Sequence, residues 1–361
     1  MEMIFTMDRM YEIEQFLNYF ARIYLNNPDK RISSDSFYYE LTLFGLTTEE
    51  RMKKRDSNVN YTIRGEFFDN WMRHFQRNPN LNVYWTPNQG RFLQFNNSKN
   101  NDSECYKLYL SFPEDKMYEC VKMVFEYIAA NKMETFSKVA DCIRSDSVIL
   151  RMAKKEDAIR LMNYINNTPE ISRHCKPTNP FLPRNGKVGI AYDRWMSFNS
   201  TLSFMLEKYF IEKRATATLD NVSASDFRQY VLRILNDIQS NKEALMSFMN
   251  ESHVVSELSR LNWMSKAEIF SNIKDILDLI TVGLDPNMRI EEYYRRIDTY
   301  MNPNHKRENC NKFDRVINSP ERVIQNIEYS DDDIQLATQI VNAYVVYALK
   351  KYSTVQKYLN I

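Results

Sequence analysis

Three runs of sequence, KLYLSFPED at 107–115, ETFSKVADCIRSDSVILRM at 134–152 and RHCKPTNPFLPRNGKVGIAYDR at 173–194, set the architecture of this chain. YKLYLSF (106–112) places Tyr106, Leu108, Leu110 and Phe112 on one face at a period of two, which predicts a strand. PEDKMYECVKMVFEYIAANK follows with Pro113 and two acids at its start, the signature of an amphipathic helix. ETFSKVAD reads as the next strand. Arg-Ser-Asp at 144–146 turns the chain into SVILRM, a further apolar strand, and EDAIRLMNYINN supplies a helix. A Pro-rich loop at 176–184 leads to a strand at KVGIAYD and a helix at FNSTLSFMLEKYFIEKR. This strand–helix–strand rhythm predicts an α+β fold, a mixed sheet core with flanking helices.

Working outward, YEIEQFLNYFARIYL (11–25) sets Ile13, Phe16, Leu17, Phe20, Ile23 and Tyr24 on one helical face, a packing stripe. Thr47, Thr48 and the following acids suit a helix start. EFFDNWMRHFQR (66–77) reads as helix, and its His74 is either a packing histidine or a general acid. VYW (83–85) and RFLQF (91–95), joined by TPNQG, predict a hairpin. The polar NNSKNNDSE (96–104) is a soft boundary. Beyond residue 215, ASDFRQYVLRILNDIQ, SKAEIFSNIKDILDLI, RIEEYYRRIDTYM and DDDIQLATQIVNAYVVYALKKY all carry helical spacing. The YYRR run within the third reads as a solvated helix face. The expected organisation is a helical lead-in with a hairpin over 1–103, an α+β core over 104–214, and a largely helical C-terminal annex over 215–361 that can pack as one unit with the core.

The 361 residues, 43% apolar, suffice for a sizeable core. Lys plus Arg (48) nearly cancel Asp plus Glu (47), so no overall field steers the chain to nucleic acid or to an anionic membrane. Five scattered cysteines lack metal-ligand or disulfide spacing and point to a reducing compartment. Charged residues interrupt the apolar N-terminus, against a signal peptide or membrane span. A cytoplasmic protein, or a secreted effector without a classical signal peptide, is expected. Six glycines form neither GxGxxG nor GxxxxGK[ST], so any phosphate must be held by side chains. A phosphotransferase is disfavoured, since no nucleotide loop or catalytic HxD segment is present.

Basic groups crowd the middle third: Lys138, Arg144, Arg151, Arg173, His174, Lys176, Arg184, Lys187 and Arg194. If they converge they make a pocket for phosphate or another dianion, Arg binding through its fork and Lys as a point charge. Otherwise they are ordinary solvated cations. Among neighbouring positive charges, Lys138 could serve as a general base, with His174 or a tyrosine returning a proton. That is equipment for β-elimination from phosphoserine or phosphothreonine, without metal or other cofactor. Asp141, Asp146 and Asp193 would orient cations rather than bind metal.

The succession KLYLSFPEDKMYECVKMVFEYIA, FSKVADCIRSDSVILRM, PTNPFLP and KVGIAYDRWMSFNSTLSFMLEKY, about residues 104–210, resembles the HopA-type effector family. That family includes lyase-like members of thioviridamide-like and class V lanthipeptide biosynthesis. Its strand lysine followed by Arg-x-Asp matches Lys138, Arg144 and Asp146. The resemblance implies a phosphoserine/phosphothreonine lyase that makes dehydroamino acids in a phosphorylated peptide or protein, acting after a partner kinase. Lys138 would be the base and His174 the acid, with Arg144, Lys176 and Arg184 around the phosphate and Asp146 orienting. Where the family carries a Gly-rich acidic loop and a Ser-Gly-His-Arg-like helix start, this chain reads AYDRWMSFNSTLSF, so nothing is carried over from that segment. The alternative is a non-enzymatic effector or scaffold that binds a protein or peptide partner.

Overall fold

The computed structural model describes residues 2–55, 70, 73–75, 82–86, 92–97, 105–140, 144–193, 198–240 and 266–300. Strands β1 (Asn82–Thr86), β2 (Phe92–Asn96), β3 (Cys105–Leu110), β4 (Phe136–Ala140), β5 (Val148–Met152), β6 (Arg184–Asn185) and β7 (Val188–Asp193) form one sheet. Their spatial order is β1-β2-β4-β5-β3-β7-β6. Preceding the sheet in sequence are α1 (Glu2–Asn26), α2 (Ser34–Leu43) and α3 (Thr48–Arg55). Helix α4 (Glu114–Ala130) joins β3 to β4, and α5 (Lys155–Asn167) with the single turn α6 (Pro169–Ser172) leads from β5 toward β6 and β7. Then follow α7 (Phe198–Ala215), α8 (Ala224–Ser240), α9 (Lys266–Gly283) and α10 (Ile290–Tyr300).

The α+β class is what the chain adopts. Its centre, β3-α4-β4-β5-α5-β7 with strands ordered β4-β5-β3-β7, is a split βαβ arrangement of ferredoxin-like topology. The expected mixed sheet is narrowed, because every pairing of described strands is antiparallel. The physical reason is the turn at 144–147: it folds β5 back between β3 and β4, so the two strands joined by α4 never touch. The hairpin β1–β2 extends this unit beyond β4, with Thr86 opposite Phe92 and Asn82 opposite Asn96.

Central β3 is buried on both faces, so its period-two pattern has two readings, one per face. Toward one face, Leu108, Leu110, Val139, Leu150 and Ile190 pack with Val121, Val124 and Phe125 of α4 and Leu161 and Ile165 of α5. Helix α4 ends in a Schellman turn: Lys132 takes φ 51, Met133 N–H bonds Ile128 O at 3.1 Å, and Lys132 N–H bonds Ala129 O at 3.1 Å. The YYRR run of α10 divides. Tyr293 and Tyr294 are buried against this same core, whereas Arg295 and Arg296 are exposed and bind Glu292.

Toward the other face, Tyr109, Ile149 and Ala191 pack with α1, α2, α7, α8 and α9. An aromatic set holds these helices together, with Phe20 and Phe37 rings 4.4 Å apart and Phe37 stacked on Phe210 at 5.3 Å. This core runs across the boundaries expected at 103/104 and 214/215, so lead-in, sheet and annex helices share it. Among the described residues no helix is long and apolar enough to cross a membrane. No group of three or more His, Cys, Asp or Glu among them is placed to hold a metal ion.

Candidate anion site on the second sheet face

Val139 enters the α4/α5 core, so alternation along β4 sends Lys138 to the opposite face of the sheet. Lys138 stands beside Gln94 of β2 and Ile149 of β5 in the ladder, while Phe92 of β2 is opposite Ala140. The Lys138 Nζ lies 4.2 Å from the centroid of the Phe92 ring, and the Arg144 guanidinium carbon lies 5.4 Å from the same centroid. Both cations therefore rest on one aromatic ring, an arrangement favoured by the ring quadrupole.

Arg144 is held there by its neighbour. Its Nε and Nη2 donate to the two carboxylate oxygens of Asp146 at 2.6 and 3.0 Å, and Asp146 is only 3% exposed. Such fork-to-fork pairing fixes the plane as well as the position of the guanidinium. The turn that carries both is docked on the last turn of α2: Ser145 N–H bonds Thr42 O at 2.8 Å and Ser145 Oγ bonds Leu41 O at 2.6 Å. Carbonyls in the last turn of a helix lack their full set of intrahelical partners; Leu41 O also takes the Phe44 N–H at 3.4 Å, and the turn adds its donors to both carbonyls. Ser111 Oγ, donating to Arg144 O at 3.0 Å, ties the turn to the end of β3.

Two further cations share this face. Lys107 of β3 and Arg151 of β5 are directly opposite in register. Like charges so placed destabilise a sheet unless an anion lies between or near them. Lys107 is 5% exposed, and the buried Arg151 Nε has no hydrogen-bond partner. Beside them, burial, then the nearby Asp146 and Tyr38, push the Tyr109 phenol well above its ordinary value. It stays a protonated hydroxyl, able to donate a hydrogen bond as well as to accept one. Lys107, Tyr109 and Phe92 were not among the sequence candidates. The alternation that put Leu108 and Leu110 in one core also aligned Lys107 with Tyr109 on the other, and a lysine inside an apolar central strand is the signal that points to them.

The side chains of the other site candidates, Lys176, Arg184 and His174, are engaged in other contacts. Lys176 donates its Nζ to Glu50 of α3, and Arg184 donates to Glu12 of α1. Arg184 sits on β6, four strand spacings from Lys138, or about 19 Å across the sheet. It cannot grip the same phosphate as Lys138. His174 lies between Ile171 and Cys175, both packed into the α4/α5 core, and its imidazole Nε2 accepts from Arg173 Nε at 3.1 Å. The expected base–acid pair of Lys138 and His174 is therefore not in contact, because the sheet's alternation directs Lys138 away from that core. Arg173 and Lys187 are exposed. Asp141 and Arg194 lie outside the described residues. His74 pairs with Glu126 at 2.9 Å and packs edge-on against Phe75.

Cys120 and Cys175 are buried thiols pushed up by that burial to about 11 and about 12, so neither is a ready thiolate nucleophile. What the second face can do is bind an oxyanion through Lys107, Arg144 and Arg151, with Lys138 beside it. Comparison with family models, curated proteins and solved structures finds no match for the chain.

Proposed function

We propose that this protein is a phosphoserine/phosphothreonine lyase acting on a phosphorylated peptide or protein, with its site on the sheet face that carries Lys138. One observation carries the reading: Lys138 and the Asp146-clamped Arg144 rest on the same Phe92 ring, on the face that also bears Lys107 and Arg151. In this reaction the unprotonated Lys138 Nζ takes the Cα proton. The electron pair forms the Cα–Cβ double bond as the Cβ–O bond breaks, and phosphate leaves with both electrons of that bond. Arg144, Arg151 and Lys107 hold the phosphate and offset its growing charge.

A second reading has its own support. No imidazole stands at this cluster among the described residues, and Lys176 and Arg184 are engaged by carboxylates. The same face would then bind a phosphorylated partner without turning it over, as a non-enzymatic effector or scaffold. Mass spectrometry of a phosphorylated Ser/Thr peptide incubated with the full chain separates them. A lyase gives a product lighter by one phosphoric acid, and Lys138→Ala abolishes it. Saturable binding with unchanged peptide mass leaves only the scaffold. A peptide that neither binds nor changes sinks both.

A further inference from the structure

Backbone pairing of β4 with β5 joins Lys138 to Ile149 and Val139 to Val148, resumes at Thr135 with Met152, and passes over the residues between. The gap falls at Arg151, and two hydroxyls fill it, Ser137 on β4 and Thr135 just before that strand. Arg151 N–H donates to Ser137 Oγ at 3.0 Å, and Thr135 Oγ1 donates to Arg151 O at 3.0 Å. The two hydroxyls bond each other, and both residues are buried.

Counting protons closes the circuit. A hydroxyl carries one proton and two lone pairs. Thr135 gives its proton to Arg151 O, so Ser137 supplies the proton between the hydroxyls and accepts from Arg151 N–H. Every member is satisfied, and the backbone of Arg151 is fixed at both of its polar groups. Thr135 is anchored in turn, its N–H donating to Asn97 Oδ1 at 2.8 Å. From that root the Arg151 side chain rises on the second sheet face, opposite Lys107 in register, with its guanidinium carbon 5.5 Å from the Phe136 ring centroid. The two arginines of this face are thus held differently. Arg144 is clamped at its guanidinium by Asp146, whereas Arg151 is anchored at its backbone and its buried Nε has no hydrogen-bond partner. A guanidinium grips phosphate through a planar fork, so its use depends on where its root is placed.

We propose that Thr135 and Ser137 are positioning residues, whose hydroxyls place Arg151 as the arm that tells a phosphorylated residue from an unphosphorylated one. This role rests on the reading of the face as a phosphate site, and it is the same whether the bound peptide is turned over or only held.

Binding of a phosphothreonine peptide and of its unphosphorylated counterpart to the full chain tests the role. The parent protein should favour the phosphopeptide. Thr135→Val keeps the shape, removes the hydroxyl and should weaken phosphopeptide affinity about tenfold, the scale of one hydrogen bond to a charged group, with the unphosphorylated peptide unaffected. Thr135→Ser keeps the hydroxyl, loses a methyl and should retain the parent preference. Arg151→Gln leaves the circuit of backbone and hydroxyls intact and should lower the preference at least as far as Thr135→Val, which keeps the test decisive if the valine variant does not fold. A purely structural circuit would lower the unfolding midpoint of Thr135→Val without moving the ratio of the two affinities. A ratio unchanged in Thr135→Val or in Arg151→Gln, or lost equally in Thr135→Ser, overturns the role of the hydroxyls while the phosphate reading stands. A parent protein that does not distinguish the two peptides overturns both.

Discussion

The β4–β5 hairpin and the 173–187 segment carry the same kinds of residue, yet their cations have opposite fates. In the hairpin, Arg144 is clamped by a carboxylate two residues away and is left stacked on Phe92 with Lys138. In the segment, Lys176 and Arg184 reach carboxylates 126 and 172 residues away, on α3 and α1. A cation positioned by a local partner keeps its fixed orientation for a ligand. One that closes a long-range ion pair is consumed in holding the fold together. On the proposed reading the hairpin is the chemical region and the segment a strap.

The largest effect that can test this contrast is on turnover. Lys138→Ala should lower phosphopeptide elimination roughly a hundred- to ten-thousandfold, the range for loss of a positioned base, with the unfolding midpoint little changed. Lys176→Ala should do the reverse: turnover per folded molecule preserved, stability reduced. Equal turnover losses from both, after correction for the folded fraction, would erase the distinction between the regions.

Next in size is the clamp itself. Asp146→Ala leaves the Arg144 guanidinium, whose side chain is 14% exposed, without its counter-charge. Breaking such a pair by removing one partner costs about 3–5 kcal/mol. Urea unfolding should register that loss. A smaller loss, with binding of phosphopeptide intact, would mean that the ring of Phe92 and the Ser145 contacts hold Arg144 unaided.

The strap has a backbone anchor of its own. Gly45 adopts φ +71, and a Cβ there would come within 2.6 Å of the Pro177 carbonyl oxygen. Gly45→Ala combines left-handed strain with a clash against backbone that cannot swing aside, a destabilisation of about 2–4 kcal/mol. Because Pro177 follows Lys176, the damage should spread along the strap and leave the hairpin alone. Hydrogen exchange would show it as faster exchange at 175–182 and in α3, with β4 and β5 protected as before.

This division also explains how far the sequence could be read. Strand alternation and helix spacing depend on neighbours, so β3, β4, β5, β7 and the helices α4, α5 and α7 were readable, as was the hairpin β1–β2. The helix start at Thr47 and Thr48 was readable for the same reason, and there Thr47 and Glu50 bond each other reciprocally. Arg144 and Asp146 belong to this local class. The partners of Lys176 and Arg184 could not be seen, because no pattern in the chain connects residue 50 with 176 or 12 with 184. Helix α2 is not legible because SDSFYYELTL is rich in Ser, Asp, Thr and aromatic residues of weak helix propensity, and its packing on α7 settles its state. Lys107 lies on the face of β3 that the Leu108–Leu110 alternation leaves unmarked.

The smallest effect singles out the strap by pH. Glu50 takes a hydrogen bond from Lys176 while its other oxygen accepts from Thr47 N–H at 2.9 Å. Burial pushes its carboxyl up, but the hydrogen bonds from Lys176 and Thr47 outweigh that and hold it below its ordinary value of 4.5. A folded-state pKa below the unfolded one contributes stability that is present above 4.5 and lost as the pH falls through the lowered folded value. Glu50→Gln cannot titrate and should be less stable than the parent by about 1 kcal/mol at neutral pH, the scale of a lost helix-start interaction. That gap should close as acid protonates Glu50 in the parent protein. Urea unfolding of the two proteins at successive pH values measures it, and a gap that stays constant into acid would remove Glu50 from the strap.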